Sequence, residues 1–166
     1  FRPPSSGGEV GKYYQQMIAE IKQGLDQIPV DFPNLNKNYE LRGFVWFQGW
    51  NDMYNEDART EYEQNLVNLI KDVRHEFDAQ DLPVVIGELG NGGEDAPDNM
   101  QAIRNAQKNA AEKTPHAYFV KTTPFARPKE QSPNVSHGHH WFGNAESYFL
   151  IGNALGKKML ESQKMK

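Results

Sequence analysis

Two short segments hold the residues best able to do chemistry. Gln48, Gly49, Trp50, Asn51 and Asp52 follow directly on an apolar run. The carboxamides of Gln48 and Asn51 carry N–H donors that can face a developing negative charge. Gly49 permits a backbone turn closed to residues with a Cβ. The second segment, His137-Gly138-His139-His140-Trp141, puts three imidazoles within four residues. Imidazole titrates near neutrality, so it can take up a proton and return it. On spacing alone several readings stay open. The first segment also reads as a turn in which Asn and Gly serve the backbone and the tryptophans serve the core. The second also reads as a metal site, although no carboxylate or thiolate stands near it in sequence, or as rings packed in a tight loop.

Composition narrows the chemistry. The 166 residues suffice for one domain with a core, and the 37% apolar fraction is below average without being that of a disordered chain. The 18 Lys and Arg against 22 Asp and Glu leave a net charge of −4 with no long run of one sign. That balance speaks against nucleic acid and against an anionic membrane as partners. There is no cysteine, hence no disulfide, thiolate ligand or cysteine nucleophile. No apolar run approaches the roughly 20 residues of a membrane span.

The elements that position these segments follow from periodicity. Tyr14, Met17, Ile18, Ile21, Leu25 and Ile28 recur at helical spacing, predicting a helix over about 10–28 that Pro29 and Pro33 end. A loop containing Asn34, Asn36 and Asn38 follows. Residues 41–47 are aromatic and branched and read as a strand. Tyr62, Leu66, Leu69, Ile70, Val73 and Phe77 define a helix over about 57–78. Leu82 to Gly87 reads as a strand buried on both faces. Asp95 and Pro97 open a helix continued by Met100, Ile103, Ala106 and Ala110. Residues 117–122 read as a third strand. A last helix over about 145–161 is expected to bury Tyr148, Phe149, Gly152, Leu155 and Met159. This alternation predicts an α/β chain with a parallel sheet between helical layers. Function in such sheets collects beyond the carboxyl ends of the strands, here in the loops 48–57, 88–97 and 123–144.

On these residues the chain resembles a known family. Gly49-x-Asn51-Asp52 after a strand matches the G-x-N-D block of SGNH hydrolases, and in the form WFQGWND it is most similar to the sialate O-acetylesterase-like carbohydrate esterases. His137 to Trp141 before a helix resembles the family's terminal D-G-x-H-aromatic block, and the first fourteen residues resemble the stretch after its second glycine-bearing block. The resemblance implies a three-layer α/β/α, flavodoxin-like SGNH fold, with residues 1–166 as the C-terminal portion of one esterase domain and its N-terminal strands lying before Phe1. It also implies hydrolysis of acetyl esters on sugars without a cofactor or metal, and a periplasmic or secreted setting.

The resemblance assigns roles. Asn51 becomes the oxyanion donor beside Gly49, Gln48 donates to the oxyanion or to a sugar hydroxyl, and His140 is the general base. Trp50 and Trp141 stack on sugar rings, with Trp46, Tyr54 and Phe142 nearby. Glu88 is either a site carboxylate that meets substrate or a loop cap. Two departures stand out. The family's nucleophilic serine and second glycine block have no counterpart, since Ser5 and Ser6 lack a preceding strand. His137 stands where the family has its acid, which leaves Asp52, Glu88 or Glu146 to supply a carboxylate, with Asp52 preferred for sharing the loop of Asn51. A second reading therefore stands beside the esterase: a non-catalytic carbohydrate-binding or structural module. Either way the strand at 41–47 would leave an apolar edge open, so a segment of the same protein or of another chain is expected to pair with it.

Overall fold

A computed structural model describes residues 1–34 and 39–164 of the chain. The elements run α1 (Lys12–Asp31), β1 (Phe44–Trp46), α2 (Glu56–Glu76), β2 (Val84–Gly87), α3 (Asp98–Lys113), β3 (Ala117–Val120) and α4 (Ala145–Lys164). The strands form one parallel sheet in the order β1-β2-β3, with Phe44 opposite Val84 and Val84 opposite Ala117. The predicted α/β architecture with helices on both sides of a parallel sheet is the one observed.

The two-residue period of β2 sorts the layers. Val84 and Ile86 join the larger core, built with Tyr14 and Ile18 of α1, Tyr62, Leu66, Leu69, Ile70 and Val73 of α2, and Met100, Ile103 and Ala110 of α3. Val85 faces the other way, onto Ile151 and Leu155 of α4 together with Val120 and Trp141. All four residues of β2 are buried, as its apolar run predicts. Both crossovers step the same way across the sheet, so α2 and α3 lie on one face, as right-handed connections require.

Three expectations need correction. Pro29 does not end α1, which continues to Asp31. It sits in the last turn, where the missing N–H costs a single bond, and Phe32 N–H closes the turn on the Ile28 carbonyl at 2.9 Å. The buried face of α4 is Ser147, Ile151 and Leu155, while Tyr148 and Phe149 face solvent. Ser147 fixes that rotation: its hydroxyl donates to the Phe125 carbonyl at 2.7 Å and its N–H to Asn144 Oδ1 at 3.0 Å. The strands are shorter than the apolar runs that signal them. Of the asparagine loop after α1, Asn36 and Asn38 lie outside the described residues.

Candidate active site

The loops after the three strands leave the sheet at one end and enclose a cavity of about 280 Å³. Its wall takes Phe47 to Asn51 from the loop after β1, Leu89 and Asn91 from the loop after β2, His139 to Trp141 from the loop after β3, and Tyr148 from α4. The geometry thus brings Gln48, Gly49, Trp50, Asn51, His140 and Trp141 around one space.

Each loop is tied to the core from below. The Gln48 carbonyl accepts from Tyr62 Oη at 2.6 Å and from Gln107 Nε2 at 2.9 Å. Burial raises the pKa of the Tyr62 phenol well above the ordinary value, so its hydroxyl stays a donor. Gly49 has φ of +153°, and a Cβ there would lie 2.8 Å from Ile103 Cγ2, so both backbone and space require glycine. Gln107 also accepts from Leu89 N–H at 2.8 Å. In the loop after β3, Trp141 and Phe142 adopt left-handed φ of 51° and 53°, a conformation that costs about 1–2 kcal/mol per residue. Phe142 N–H to His137 O at 3.0 Å and Asn134 N–H to Phe142 O at 2.9 Å hold it. Tyr148 Oη donates to the His140 carbonyl at 2.9 Å.

The two leading groups are free to act. The Asn51 side-chain amide and both His140 ring nitrogens have no hydrogen-bond partner among the described residues. His139 lies between its neighbours, with ring centroids 4.3 Å from His140, 5.2 Å from His137 and 5.8 Å from Trp50. Desolvation first, then the two adjacent imidazoles, lower its pKa below the ordinary histidine value. A depressed imidazole favours the neutral form in the fold, so this group's contribution is present above the ordinary histidine value and is lost as pH falls below it through the depressed folded value. Among the described residues no three side chains are set to hold a metal ion.

Other expected residues stand elsewhere. The Asp52 carboxylate accepts from Gln48 Nε2 and lines a separate cavity, with Trp46 and Tyr14, on the far side of Gln48 and Asn51. It begins a short 3-10 turn, Asp52–Tyr54. Among the described residues no hydrogen bond joins Asp52 to His140. Glu146 is paired with Arg127 at 2.8 and 3.0 Å. Glu88 caps a loop and is not among the residues that line the cavity. It is 5% exposed, and one oxygen accepts Thr122 N–H and Thr123 N–H at 2.8 Å and Thr123 Oγ1 at 2.5 Å. Trp141, also 5% exposed, packs on Val85 and Val120 as a wall of the cavity, leaving half-buried Trp50 as the ring more open to a sugar. Ser5 bonds Asp72, and Ser6 accepts from Asn68 at 3.0 Å, both away from this cavity.

The Glu88 assignment has a measurable consequence. Glu88→Ala strands two buried amides and is expected to cost about 2–5 kcal/mol of stability in chemical denaturation. Glu88→Gln, whose amide oxygen can accept the same bonds without charge, is expected to retain roughly half of that. A loss below about 1 kcal/mol for the alanine variant would remove the capping role.

Comparison with known proteins bears on this geometry. A family model described as carbohydrate esterase, sialic acid-specific acetylesterase, matches residues 5–161. The chain belongs to that family. No curated protein matches it. A solved structure of a protein from Arabidopsis thaliana is similar at a TM-score of 0.63 and 20% identity, over 91% of this chain and 53% of that one. The likeness shows the fold, and the chain spans about half the length of that protein.

Proposed function

We propose that this member of the carbohydrate esterase family forms the oxyanion and proton-transfer side of a sugar O-acetylesterase site. The observation that carries the reading is the shared cavity. It sets the unpartnered amide of Asn51 and the unpartnered imidazole of His140 on loops at the carboxyl ends of parallel strands. Asn51 donates to the carbonyl oxygen as it becomes an oxyanion. His140 takes the proton from the attacking hydroxyl and returns it to the departing sugar oxygen. Trp50 offers a ring face to the sugar. Sialate and other acetylated glycans are the substrate class.

The nucleophilic serine comes from a polypeptide segment that pairs with the edge of β1 that no described strand covers. A parallel strand added there would end beside Gln48 and Asn51, because the loop after β1 leaves the sheet at that same end. The half-exposed Val45 and Phe47 suit coverage. The non-catalytic carbohydrate-binding module is the second reading. It is favoured by one observation: no carboxylate bonds His137, His139 or His140 among the described residues. The two separate in one assay. The chain joined to a serine-bearing strand segment is given an O-acetylated methyl glycoside, and both acetate release and sugar binding are measured. Release supports the esterase. Binding without release, by a folded joined protein, overturns it in favour of the module.

A further inference from the structure

Asn91 belongs to neither loop that resembles the family, yet it bonds the histidine loop directly. It is 4% exposed and lies on the cavity wall. Its Nδ2 donates to the carbonyls of Gly138 at 3.1 Å and His139 at 3.3 Å. Both partners are acceptors, so the amide can face them only with its NH2 group. The main-chain carbonyl of Asn91 accepts from Arg104 at 2.8 Å. The same guanidinium takes the carbonyls of Leu89 at 2.7 Å and Gly93 at 2.9 Å. Three residues further along α3, Gln107 joins the Leu89 amide to the Gln48 carbonyl. One helix face thus clamps the loop after β2 and grips the loop of Asn51 directly, and through Asn91 it reaches the backbone beside His140.

We infer that Asn91 is the positioning residue that sets His140 relative to Asn51, with Arg104 holding Asn91 in place. Its chemistry is hydrogen-bond donation rather than volume. Two carbonyl oxygens converge on its NH2 group, and the following residues, Trp141 and Phe142, carry left-handed backbone strain that needs anchoring. The catalytic consequence rests on the esterase reading above. The structural consequence does not.

Asn91→Asp separates donation from packing. The shape is kept, but an ionised carboxylate offers only acceptors to two carbonyls. At neutral pH the expected result is a shift of the His139 and His140 ring resonances toward those of a free histidine. Hydrogen exchange at the His140 and Phe142 amides should rise about 10-fold or more, a loosening of about 1.4 kcal/mol, while the β2 amides stay protected. Acidification that protonates the new carboxyl restores one donor and should reverse part of the change. Ring resonances and exchange rates equal to wild type at neutral pH would overturn the inference. If Asn91→Asp does not fold, Asn91→Ala removes the donors without adding charge, and unchanged His139 and His140 signals in that variant would overturn it equally. A loosened loop in Asn91→Asp together with an otherwise wild-type chain, joined to the serine-bearing segment, that neither binds nor cleaves the O-acetylated glycoside would leave the positioning role standing and remove the esterase reading.

Discussion

His140→Ala is expected to lower acetate release by about 10²–10⁴-fold, the usual contribution of a general base. The measurement is kcat for an O-acetylated glycoside in the chain joined to its serine-bearing segment. The drop should fall on kcat with KM nearly unchanged, because an imidazole that moves protons acts in the transition state more than in the ground state. His140 is preferred to its neighbours on geometry. His137 Nδ1 is engaged by Asn134 at 2.7 Å and by Ser136 at 2.9 Å, which ties its ring to its own loop. His139 is held between two rings and against Trp50. His137→Ala and His139→Ala should therefore cost less than His140→Ala. Full activity after His140→Ala would withdraw the assignment, and a larger loss at His139 would transfer it there.

Asn51→Ala is the companion experiment, with an expected loss of about 10²–10³-fold in kcat, the range seen when one oxyanion donor is removed. Asn51→Asp should be worse still. It keeps the shape but replaces a donor with an acceptor and, when ionised, sets a negative charge beside a developing oxyanion. Gln48 serves as the contrast, because its side-chain amide already donates to Asp52. Gln48→Ala should alter the loop without removing an equally free donor. An Asn51→Ala protein with wild-type kcat would show that the loop serves only as a turn.

Much of this was legible in residue spacing. Period-3.6 apolar positions gave α2 and α3 nearly to their ends, and the run from Leu82 to Gly87 announced a doubly buried strand. The loops after the three strands followed from alternation alone. What spacing missed was polar. Arg104 and Gln107 sit on the face of α3 that Met100, Ile103 and Ala110 mark as buried. Two hydrogen-bonding side chains inside an apolar stripe were the available signal that this helix holds loops as well as filling a core. Asn91 carried no pattern of its own, because a loop asparagine is common and its importance lies in which carbonyls converge on it. The rotation of α4 was misread because aromatic residues outweighed Ser147, whose small hydroxyl decides the inward face through Phe125 and Asn144. Closeness in sequence to Asn51 favours Asp52 as the acid, but among the described residues its carboxylate bonds Gln48 and no histidine.

The double hydrogen bond on the Gln48 carbonyl has an effect at the next atom along the chain. The peptide joining Gln48 to Gly49 is trans, as are all those described, and in a planar trans peptide the carbonyl and the following N–H point in opposite directions. Tyr62 and Gln107 draw the oxygen inward, so they turn the Gly49 amide hydrogen outward. Two buried side chains on two helices thereby aim a main-chain N–H that neither of them touches.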